Sequence, residues 1–380
     1  MQAFRSVLRA SPCLRPNFLP DARFIAKLST TQTRSDTWVP SLSRCIPGHS
    51  SSVDPFRLVS SDLEVMANSI RSTVSILQHP VLDAAAAHLL SLHGKRIRPI
   101  IVLLIAHSAA PLVAAPGAIA AQRNLAEITE LIHAASLLHD DVIDVASTRR
   151  GERSVNAVFG NQLAVLAGDF LLARASVALA RLRDCDVVEL LSTVIEHLVR
   201  GEVIQMGNGS SFKRDENDLF EAYMSKTFFK TASLVANSCR AVTMLAGHTK
   251  EVADAAYNYG KDVGIAFQLM DDLLDIIGTA DKLGKPVLND LRQGHATAPV
   301  LYALQQFPEL LPMIERRFNE EGDIETTLEL VKRADGLTKT RELATEHILR
   351  AVDTVVQTLP ANDYRSALVN LANFALTRER

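Results

Sequence analysis

Two clusters of aspartates have the residue types and the spacing for metal chemistry. The first cluster lies within LLHDDVIDVASTRRG and the second within AFQLMDDLLDIIG; they comprise Asp140, Asp141 and Asp144, and Asp271, Asp272 and Asp275. Helical spacing would place the first and last aspartate of each cluster on one helix face, a turn apart. Three carboxylates among apolar neighbours repel one another, so each cluster needs a counter-cation. Hard oxygen ligands suit Mg²⁺, and we expect all six aspartates to hold it.

A single motif of this kind could equally be the solvated face of a surface helix. Two copies, each inside an apolar segment, favour metal binding, because buried charges need a partner. Basic side chains complete the pattern, since arginine offers paired donors to phosphate and lysine a point charge. The candidates are Lys95 and Arg98 within GKRIRP, Arg149, Arg150, Lys226, Lys230 and Lys285. The sequence has no P-loop, GxGxxG or nucleophile elbow, so metal and cations would bind diphosphates here.

The elements that position these residues are predicted to be helices. Apolar residues recur every three or four positions over most of the chain, as in the segment 187–199, and alternating strand patterns are absent. The pattern predicts an all-α fold, a single large helical bundle over residues 54–380. The uncharged stretch 99–122 is long enough to cross a membrane. Its prolines and glycine instead predict a helix to about Ala109 and another from about Ile119, so no transmembrane segment is expected.

Composition and charge narrow the function classes. Of 380 residues, 47% are hydrophobic and 22% charged, which is ordinary for a globular protein, and the net charge of −3 argues against nucleic-acid binding. Residues 1–61 carry eight basic and three acidic side chains, whereas the remainder has a net charge of −8. An arginine- and serine-rich, acid-poor start is typical of a transit peptide. We therefore expect residues 1–53 to be a disordered leader addressed to the mitochondrion, on the matrix side.

Five strings resemble the trans-isoprenyl diphosphate synthases, in particular the catalytic subunit of mitochondrial long-chain members of the decaprenyl or solanesyl type. They are GKRIRP, LLHDDVIDVASTRRG, SKTFFKTASL, GIAFQLMDDLLD and GKPVLNDLRQGHATAPVLYA. The likeness runs from about Asp54 to the C-terminus. It implies a helical bundle of the isoprenoid synthase type with a central cavity. It also implies a prenyltransferase that joins isopentenyl diphosphate to an allylic diphosphate, farnesyl or geranylgeranyl.

The resemblance assigns roles residue by residue. The six aspartates would hold about three Mg²⁺. Arg149 would touch the allylic diphosphate, and Gln268 and Lys285 would line its site. Lys95, Arg98, His133 and Arg150 would bind isopentenyl diphosphate. A Lys-Thr pair at the allylic site has two candidates, of which Lys230–Thr231 fits the spacing to Gln268 better than Lys226–Thr227.

One position departs from the short-chain pattern of this family. Those members carry a further lysine nine or ten residues after the one at 285, where this chain has Gly294 and His295. This leaves one diphosphate contact in doubt. The resemblance further implies pairing through helices, as a homodimer or as a heteromer with a second synthase subunit. Peripheral contact with a membrane would serve product release.

Product length follows from the residues before the first cluster. Ala135 and Ser136 would flank the path of the growing tail, and Ile132 lies about one turn deeper. All three are small or modest in size, which predicts a long all-trans product of about nine or ten isoprene units. The resemblance and the expected mitochondrial address imply that this product becomes the ubiquinone side chain. Alternatively, Ala135 and Ser136 only allow close helix packing, and a deeper residue sets the limit.

Other functions stay open at this point. The nearest alternative is a shorter-chain, geranylgeranyl diphosphate synthase. A metal phosphohydrolase of the His-Asp type would use His133 and the His139–Asp140 pair, but it leaves the second cluster without a role. A class I terpene cyclase shares the first motif only. A non-catalytic partner subunit tends to lose aspartates, and here all six are present.

Overall fold

Helices begin and end where local residue types favour it. Asp54 caps the first helix by accepting the backbone N–H groups of Phe56 at 2.8 Å and Arg57 at 3.3 Å, with Pro55 in the first turn. Asn362 caps the last helix in the same way, through the N–H of Arg365 at 2.8 Å. These caps satisfy backbone donors that a helix start leaves without a partner.

The computed structural model describes residues 46, 48–74, 84–85, 88, 94–109, 117–207, 216–278 and 288–378. Residues 46–380 form one compact unit; the other unit, residues 1–45, lies outside the described residues. Lys285 and most of the expected leader also lie outside them. The helices run, in chain order, α1 (Pro55–Leu58), α2 (Ser60–Val74), α3 (Ile97–Ser108), α4 (Ala118–Ile143), α5 (Val155–Phe159), α6 (Asn161–Arg181), α7 (Cys185–Gly207), α8 (Glu216–Thr227), α9 (Ser233–Met244), α10 (Lys250–Ile277), α11 (Asn289–Arg292), α12 (Ala298–Leu304), α13 (Leu310–Glu315), α14 (Asp323–Arg333), α15 (Gly336–Thr358) and α16 (Asp363–Thr377).

Helices α4 and α10 are the centre of the bundle and carry the two aspartate clusters. Helix α4 packs on α3 and α6, α10 packs on α15, and α9 touches both. Their apolar faces join one continuous hydrophobic core, in which Leu131, Leu138 and Leu269 are fully buried. Each cluster sits at the C-terminal end of its helix. The predicted all-α bundle is confirmed.

Two features differ from the sequence expectation. A two-stranded antiparallel hairpin pairs β1 (Thr148–Arg149) with β2 (Glu152–Arg153) around Arg150 and Gly151, both at positive φ. Strands of two residues are too short to produce an alternating pattern. Between α8 and α9, residues Phe228–Ala232 form a π-helix, a rare element that is often found at functional sites.

The chain just before α1 is hydrogen-bonded to α16. The Ser50 N–H donates to Ser366 Oγ at 3.2 Å, and the Asn370 side-chain amide donates to the carbonyls of Ser50 and Val53 at 3.1 and 2.8 Å. These residues belong to the segment expected to be leader. The boundary at residue 54 stays a prediction.

Helix α6 is long and apolar enough to cross a membrane by length and composition, although core helices of other proteins pass the same test. One third of its most apolar window is buried in the bundle. Stretch 99–122 falls instead on α3 and the start of α4, with residues 110–116 outside the described part. We define the apolar face as the exposed apolar side chains of α6 and α7, namely Val165, Leu166, Val177, Val199, Val203 and Met206.

Candidate active site

The first aspartate cluster divides between two environments. Asp140 and Asp144 face Lys230 of the π-helix and Glu202 of α7. Burial raises the pKa of both carboxyls; Lys230 opposes the rise, and Glu202 adds to it. The protein thus holds these two carboxylates in a partly dry, charge-crowded place. A divalent cation would relieve that crowding.

Asp141 is the third member and is buried, at 1% exposure. Arg149 clamps it with two hydrogen bonds, from Nε to Oδ2 at 2.8 Å and from Nη2 to Oδ1 at 2.6 Å. This paired geometry is the strong form of an arginine–carboxylate contact. Arg149 thus binds Asp141 of the first cluster. Its expected contact with the allylic diphosphate stays a prediction.

In the second cluster Asp272 is buried, at 3% exposure. Its Oδ2 accepts the Tyr223 hydroxyl at 2.6 Å, and its Oδ1 accepts the Gln268 amide at 2.8 Å. Gln268 in turn accepts the Thr231 hydroxyl at 2.8 Å. The resulting chain from Thr231 to Asp272 links the Lys-Thr pair favoured in the sequence to the second cluster. Burial raises the pKa of Asp272, while Lys226 and the Tyr223 hydroxyl act in the opposite direction.

The other two members of the second cluster bind different parts of the chain. Asp271 pairs with Arg378 at 2.8 Å, and the Arg378 side chain is 4% exposed. The same guanidinium donates to the Phe267 carbonyl at 2.6 Å and lies over the Phe267 ring. Asp275 is buried, and its Oδ2 accepts the N–H of Asp290 at 3.0 Å.

Two lysines stand between the clusters. Lys230 pairs with Glu202 and donates to Gln205 Oε1 at 3.2 Å. Lys226, one turn earlier, faces Asp272 and Asp290, and burial lowers its pKa. Both candidates for the Lys-Thr lysine therefore face the site. Gly201 allows this approach, since a side chain there would lie 2.5 Å from Lys230 Cγ.

A second cationic group lies beside α4. Arg98 donates from Nη1 to His133 Nε2 at 2.9 Å, so the imidazole accepts and is neutral. Burial, together with Arg98, Arg150 and Arg149, lowers the pKa of His133 well below its usual value. Glu130 adds a buried carboxyl that faces Arg98, Arg96 and Arg150. Lys95 is exposed and lies 4.5 Å from the centre of the Phe374 ring. Of the four residues expected to bind isopentenyl diphosphate, Arg98, His133 and Arg150 are thus close together, whereas Lys95 contacts Phe374 of α16.

The residues expected to control product length lie on α4. Ile132 and Ala135 are fully buried in the core, while Ser136 is half-buried and donates to the His133 carbonyl at 2.9 Å. A tail growing past them would have to displace packed neighbours. Their role stays a prediction.

The carboxylates of the two clusters suit Mg²⁺ ions that also bind a substrate, rather than an ion coordinated by protein side chains alone. No group of three or more His, Cys, Asp or Glu side chains within the described residues converges on one point. Mg²⁺ commonly takes one or two carboxylates and fills its other positions with water and phosphate oxygens. Two carboxylate groups separated by lysines suit that arrangement, because a diphosphate between them would supply the remaining ligands.

Sequence reasoning missed several residues of the site. Glu202 and Gln205 stand three apart on the amphipathic helix α7, and this spacing beside Gly201 was the available signal. Tyr223 lies one turn before Lys226, which is also a helical signal. Glu130, three residues before His133 on α4, has the same spacing, whereas tertiary contacts bring in His295 and Arg378.

A helical bundle that collects two aspartate clusters, two lysines and an arginine group defines a class: metal-dependent enzymes acting on diphosphates. The sequence profile of the polyprenyl synthetase family matches residues 79–331, and the chain belongs to this family. Enzymes of this family are Mg²⁺-dependent prenyltransferases. The family, the enzyme class and the fold expected from the motifs are confirmed.

Relatives agree with this assignment. The chain is 44% identical over 346 residues to solanesyl-diphosphate synthase 1, mitochondrial, of Oryza sativa, covering 86% of this chain and 79% of the relative. It is 45% identical over 333 residues to the all trans-polyprenyl-diphosphate synthase PDSS1 of Mus musculus, with the same coverage. Among solved structures, a polyprenyl synthase from Caulobacter crescentus, complexed with calcium and isoprenyl diphosphate, has a TM-score of 0.76 and 32% identity. This match covers 88% of this chain and 99% of that one.

Proposed function

We propose that this chain elongates an allylic diphosphate with isopentenyl diphosphate to a long-chain all-trans-polyprenyl diphosphate, in a Mg²⁺-dependent reaction. The observation that carries the proposal is the placement of Lys226 and Lys230 between the two aspartate clusters. Asp140 and Asp144 face Lys230, and Asp272 faces Lys226. A diphosphate bound there would meet cations from the protein and carboxylate-bound metal on either side.

The allylic diphosphate is assigned to the Lys226–Lys230 side. Lys226 and Lys230 bind its phosphate oxygens, with Thr231 and Gln268 orienting the cluster beside them, and Arg149 and Lys285 are further candidate contacts. The six aspartates would hold the Mg²⁺, about three ions, and the bound metal supplies Lewis-acid stabilisation to the leaving diphosphate. Stabilising the diphosphate lets the allylic C–O bond break.

Isopentenyl diphosphate is assigned to the side formed by Lys95, Arg98, His133 and Arg150. The neutral His133 ring holds Arg98 in place, so the guanidinium is oriented before substrate arrives. The double bond of isopentenyl diphosphate attacks the allylic cation, a new C–C bond forms, and a proton leaves to the released diphosphate. No protein nucleophile is needed. The apolar wall of α4 keeps water from the cation.

The product is assigned a length of about nine or ten isoprene units on the shape argument from Ala135, Ser136 and Ile132. The name of the rice relative, a solanesyl-diphosphate synthase, supports a long product. A ubiquinone side chain is the use that agrees with the mitochondrial relatives.

The apolar face of α6 and α7 is assigned to subunit pairing. It exposes Leu166 at 52%, Val203 at 61% and Met206 at 54%, which is unusual for a surface exposed only to water. Partner and symmetry follow from the resemblance, as a homodimer or as a heteromer with a second synthase subunit. Peripheral membrane contact is proposed for release of the apolar product.

A mitochondrial location agrees with the names of the relatives. We assign the protein to the matrix side, and residues 1–53 to the leader that directs it there. Residues 54–380 are proposed to be the synthase domain.

A product-length assay tests the proposal. The purified full chain is given Mg²⁺, farnesyl diphosphate and labelled isopentenyl diphosphate, and the products are separated by chain length. A ladder that ends in a long polyprenyl diphosphate is expected. A product that stops at geranylgeranyl diphosphate would contradict the long-chain assignment.

Two variants test whether the products are made at this site. Asp140→Ala should abolish turnover while leaving the fold intact, because the metal loses a ligand. Asp353→Ala, at an exposed aspartate of α15, is the matched control and should keep wild-type turnover. Near-normal kcat in Asp140→Ala would overturn the role of the first cluster.

A further inference from the structure

Arg378 is a buried arginine at the end of α16 that the proposed mechanism does not use. Its side chain is 4% exposed, and its Nη2 pairs with Asp271 Oδ1 at 2.8 Å. The same nitrogen donates to the Phe267 carbonyl at 2.6 Å, and the guanidinium carbon lies 3.5 Å from the centre of the Phe267 ring. Phe267 and Asp271 are four residues apart on α10, so they share one face. Three contacts therefore hold the guanidinium against a single turn of α10.

Helix α16 fixes Arg378 from the other side. The Arg378 N–H donates to the Phe374 carbonyl at 3.1 Å and ends the helix. The Phe374 ring meets the edge of the Phe56 ring at 5.5 Å, and the Asn370 amide donates to the Val53 carbonyl at 2.8 Å. Residues 370, 374 and 378 recur every four positions and lie on one face of α16. The arginine is thus carried by a helix that is itself bonded to the chain around α1.

The pair between Arg378 and Asp271 should persist when the site is loaded. A guanidinium cannot lose its proton in a protein, so moving Asp271 away would leave a buried charge without compensation. Asp271 itself is 44% exposed, so its carboxylate extends from the buried arginine to the open side of the cluster. The pair is made through Oδ1, unlike the clamp of Arg149 on Asp141, which uses both carboxylate oxygens. Asp271 therefore keeps Oδ2 for a metal ion.

A carboxylate with one oxygen on an arginine suits some ions better than others. Mg²⁺ is small and demands near-ideal octahedral geometry at about 2.0–2.1 Å, which two oxygens of one carboxylate do not fit. Ca²⁺ accepts about 6–8 ligands at longer distances and commonly takes both oxygens of one carboxylate. Holding Oδ1 of Asp271 removes the second option and leaves the first unaffected.

We propose that Arg378 is a positioning residue that restricts Asp271 to one metal-binding oxygen and so sets the preference of the second cluster for Mg²⁺ over Ca²⁺. This inference rests on the proposed function, because it takes Asp271 as a metal ligand. The positive charge of Arg378 repels both divalent ions alike, so removing the charge changes both affinities in the same direction. The ratio of the two affinities reports the geometry.

Calorimetry of the full chain measures this ratio. Farnesyl diphosphate is titrated without isopentenyl diphosphate, once with saturating Mg²⁺ and once with saturating Ca²⁺. The metal preference is the Kd with Ca²⁺ divided by the Kd with Mg²⁺. Each ion binds free farnesyl diphosphate equally in every titration, so a comparison between variants cancels that contribution.

Three variants complete the design. Arg378→Met removes every donor, and Arg378→Gln keeps an amide on a shorter side chain. Arg316→Gln is the matched control, because Arg316 also holds a buried carboxylate, that of Asp323, through two hydrogen bonds outside the clusters. Melting temperatures check that each variant folds, and either Arg378 variant decides the test if the other does not fold.

The preference should fall about tenfold in both Arg378 variants, because partners that orient a metal ligand typically contribute about 10- to 100-fold to metal affinity. The lower end is expected, since Asp271 is one ligand among several. Mg²⁺ loses an oriented oxygen, whereas Ca²⁺ gains access to a second one. Arg316→Gln should keep the wild-type preference.

Two failures are distinguishable. An unchanged preference in the folded Arg378 variants overturns this inference and leaves the proposed function intact. Wild-type protein that binds farnesyl diphosphate with neither ion overturns the proposed function and the inference with it.

Discussion

Replacing Tyr223 with phenylalanine removes one hydroxyl from the second aspartate cluster and little else. Tyr223 is buried, and its hydroxyl donates to Asp272 Oδ2 at 2.6 Å. Asp272 keeps its bond from Gln268 and its attraction to Lys226. The variant therefore tests how the carboxylate is held, without creating a large cavity.

The magnitude follows from the type of hydrogen bond. A bond to a charged acceptor contributes about 1.5–3 kcal/mol, against about 0.5–1.5 kcal/mol for a neutral pair. If that stabilisation positions the metal ligand, kcat/KM should fall about 10- to 150-fold. We expect the lower end, about tenfold, because Asp272 retains two partners.

The acid limb of the pH profile of kcat/KM should also move in Tyr223→Phe. Burial raises the pKa of Asp272, and the Tyr223 hydroxyl holds it down. Without the hydroxyl the pKa rises further, so the ionised form needed for metal is lost at a higher pH as the solution is acidified. The acid limb of kcat/KM should shift toward neutral pH.

Tyr259→Phe is the matched control. Tyr259 is also fully buried, but its hydroxyl donates to the neutral Leu368 carbonyl at 2.8 Å, away from the site. Both variants should lose free energy of unfolding, measured by denaturant titration. Only Tyr223→Phe should lose activity and shift the limb. Activity within about twofold of wild type, with an unmoved limb, would refute the positioning role.

Three further predictions concern separate features. Ala135→Phe should shorten the product by blocking the tail, whereas Ala120→Phe, exposed on the same helix, should leave chain length unchanged in the product assay. Asp140→Asn should raise the melting temperature of the metal-free protein at neutral pH, because burial raises the pKa of that carboxyl in the folded state. The gain should fade as the pH falls toward the pKa of the same carboxyl in the unfolded chain. No gain at neutral pH would contradict the destabilising effect of the buried charge. Val203→Glu should weaken assembly about tenfold or more by sedimentation, while Gln357→Glu should not, and an unchanged oligomer would exclude the apolar face.

The spacing of residues close together in the sequence was sufficient to predict the fold and the residue types of the site. Helical spacing located α4 and α10, and the aspartates at their ends identified the family. The split at Ala109 and Ile119 also agrees with α3 ending at Ser108 and α4 beginning at Ala118. These features depend on residues close in sequence, which a periodic pattern can report.

Contacts between distant segments could not be predicted in this way. Arg378 reaches Asp271 across more than a hundred positions, and nothing near either residue indicates the pairing. The engagement of Asp141 by Arg149 depends on the β1–β2 hairpin, whose strands are too short to leave a pattern. The π-helix at Phe228–Ala232 packs against α7 and α10, which are distant in sequence, and no pattern in its own residues indicates it.

The hydrogen bonds between α16 and the chain ahead of α1 make residues 50–53 part of the folded bundle. Asn370 holds the carbonyls of Ser50 and Val53, and Ser366 accepts the N–H of Ser50. A cut downstream of Val53 would strip these partners from the helix that also carries Phe374, the neighbour of Lys95. If the proposed leader is removed, a boundary upstream of Ser50, rather than at residue 54, would keep these hydrogen bonds.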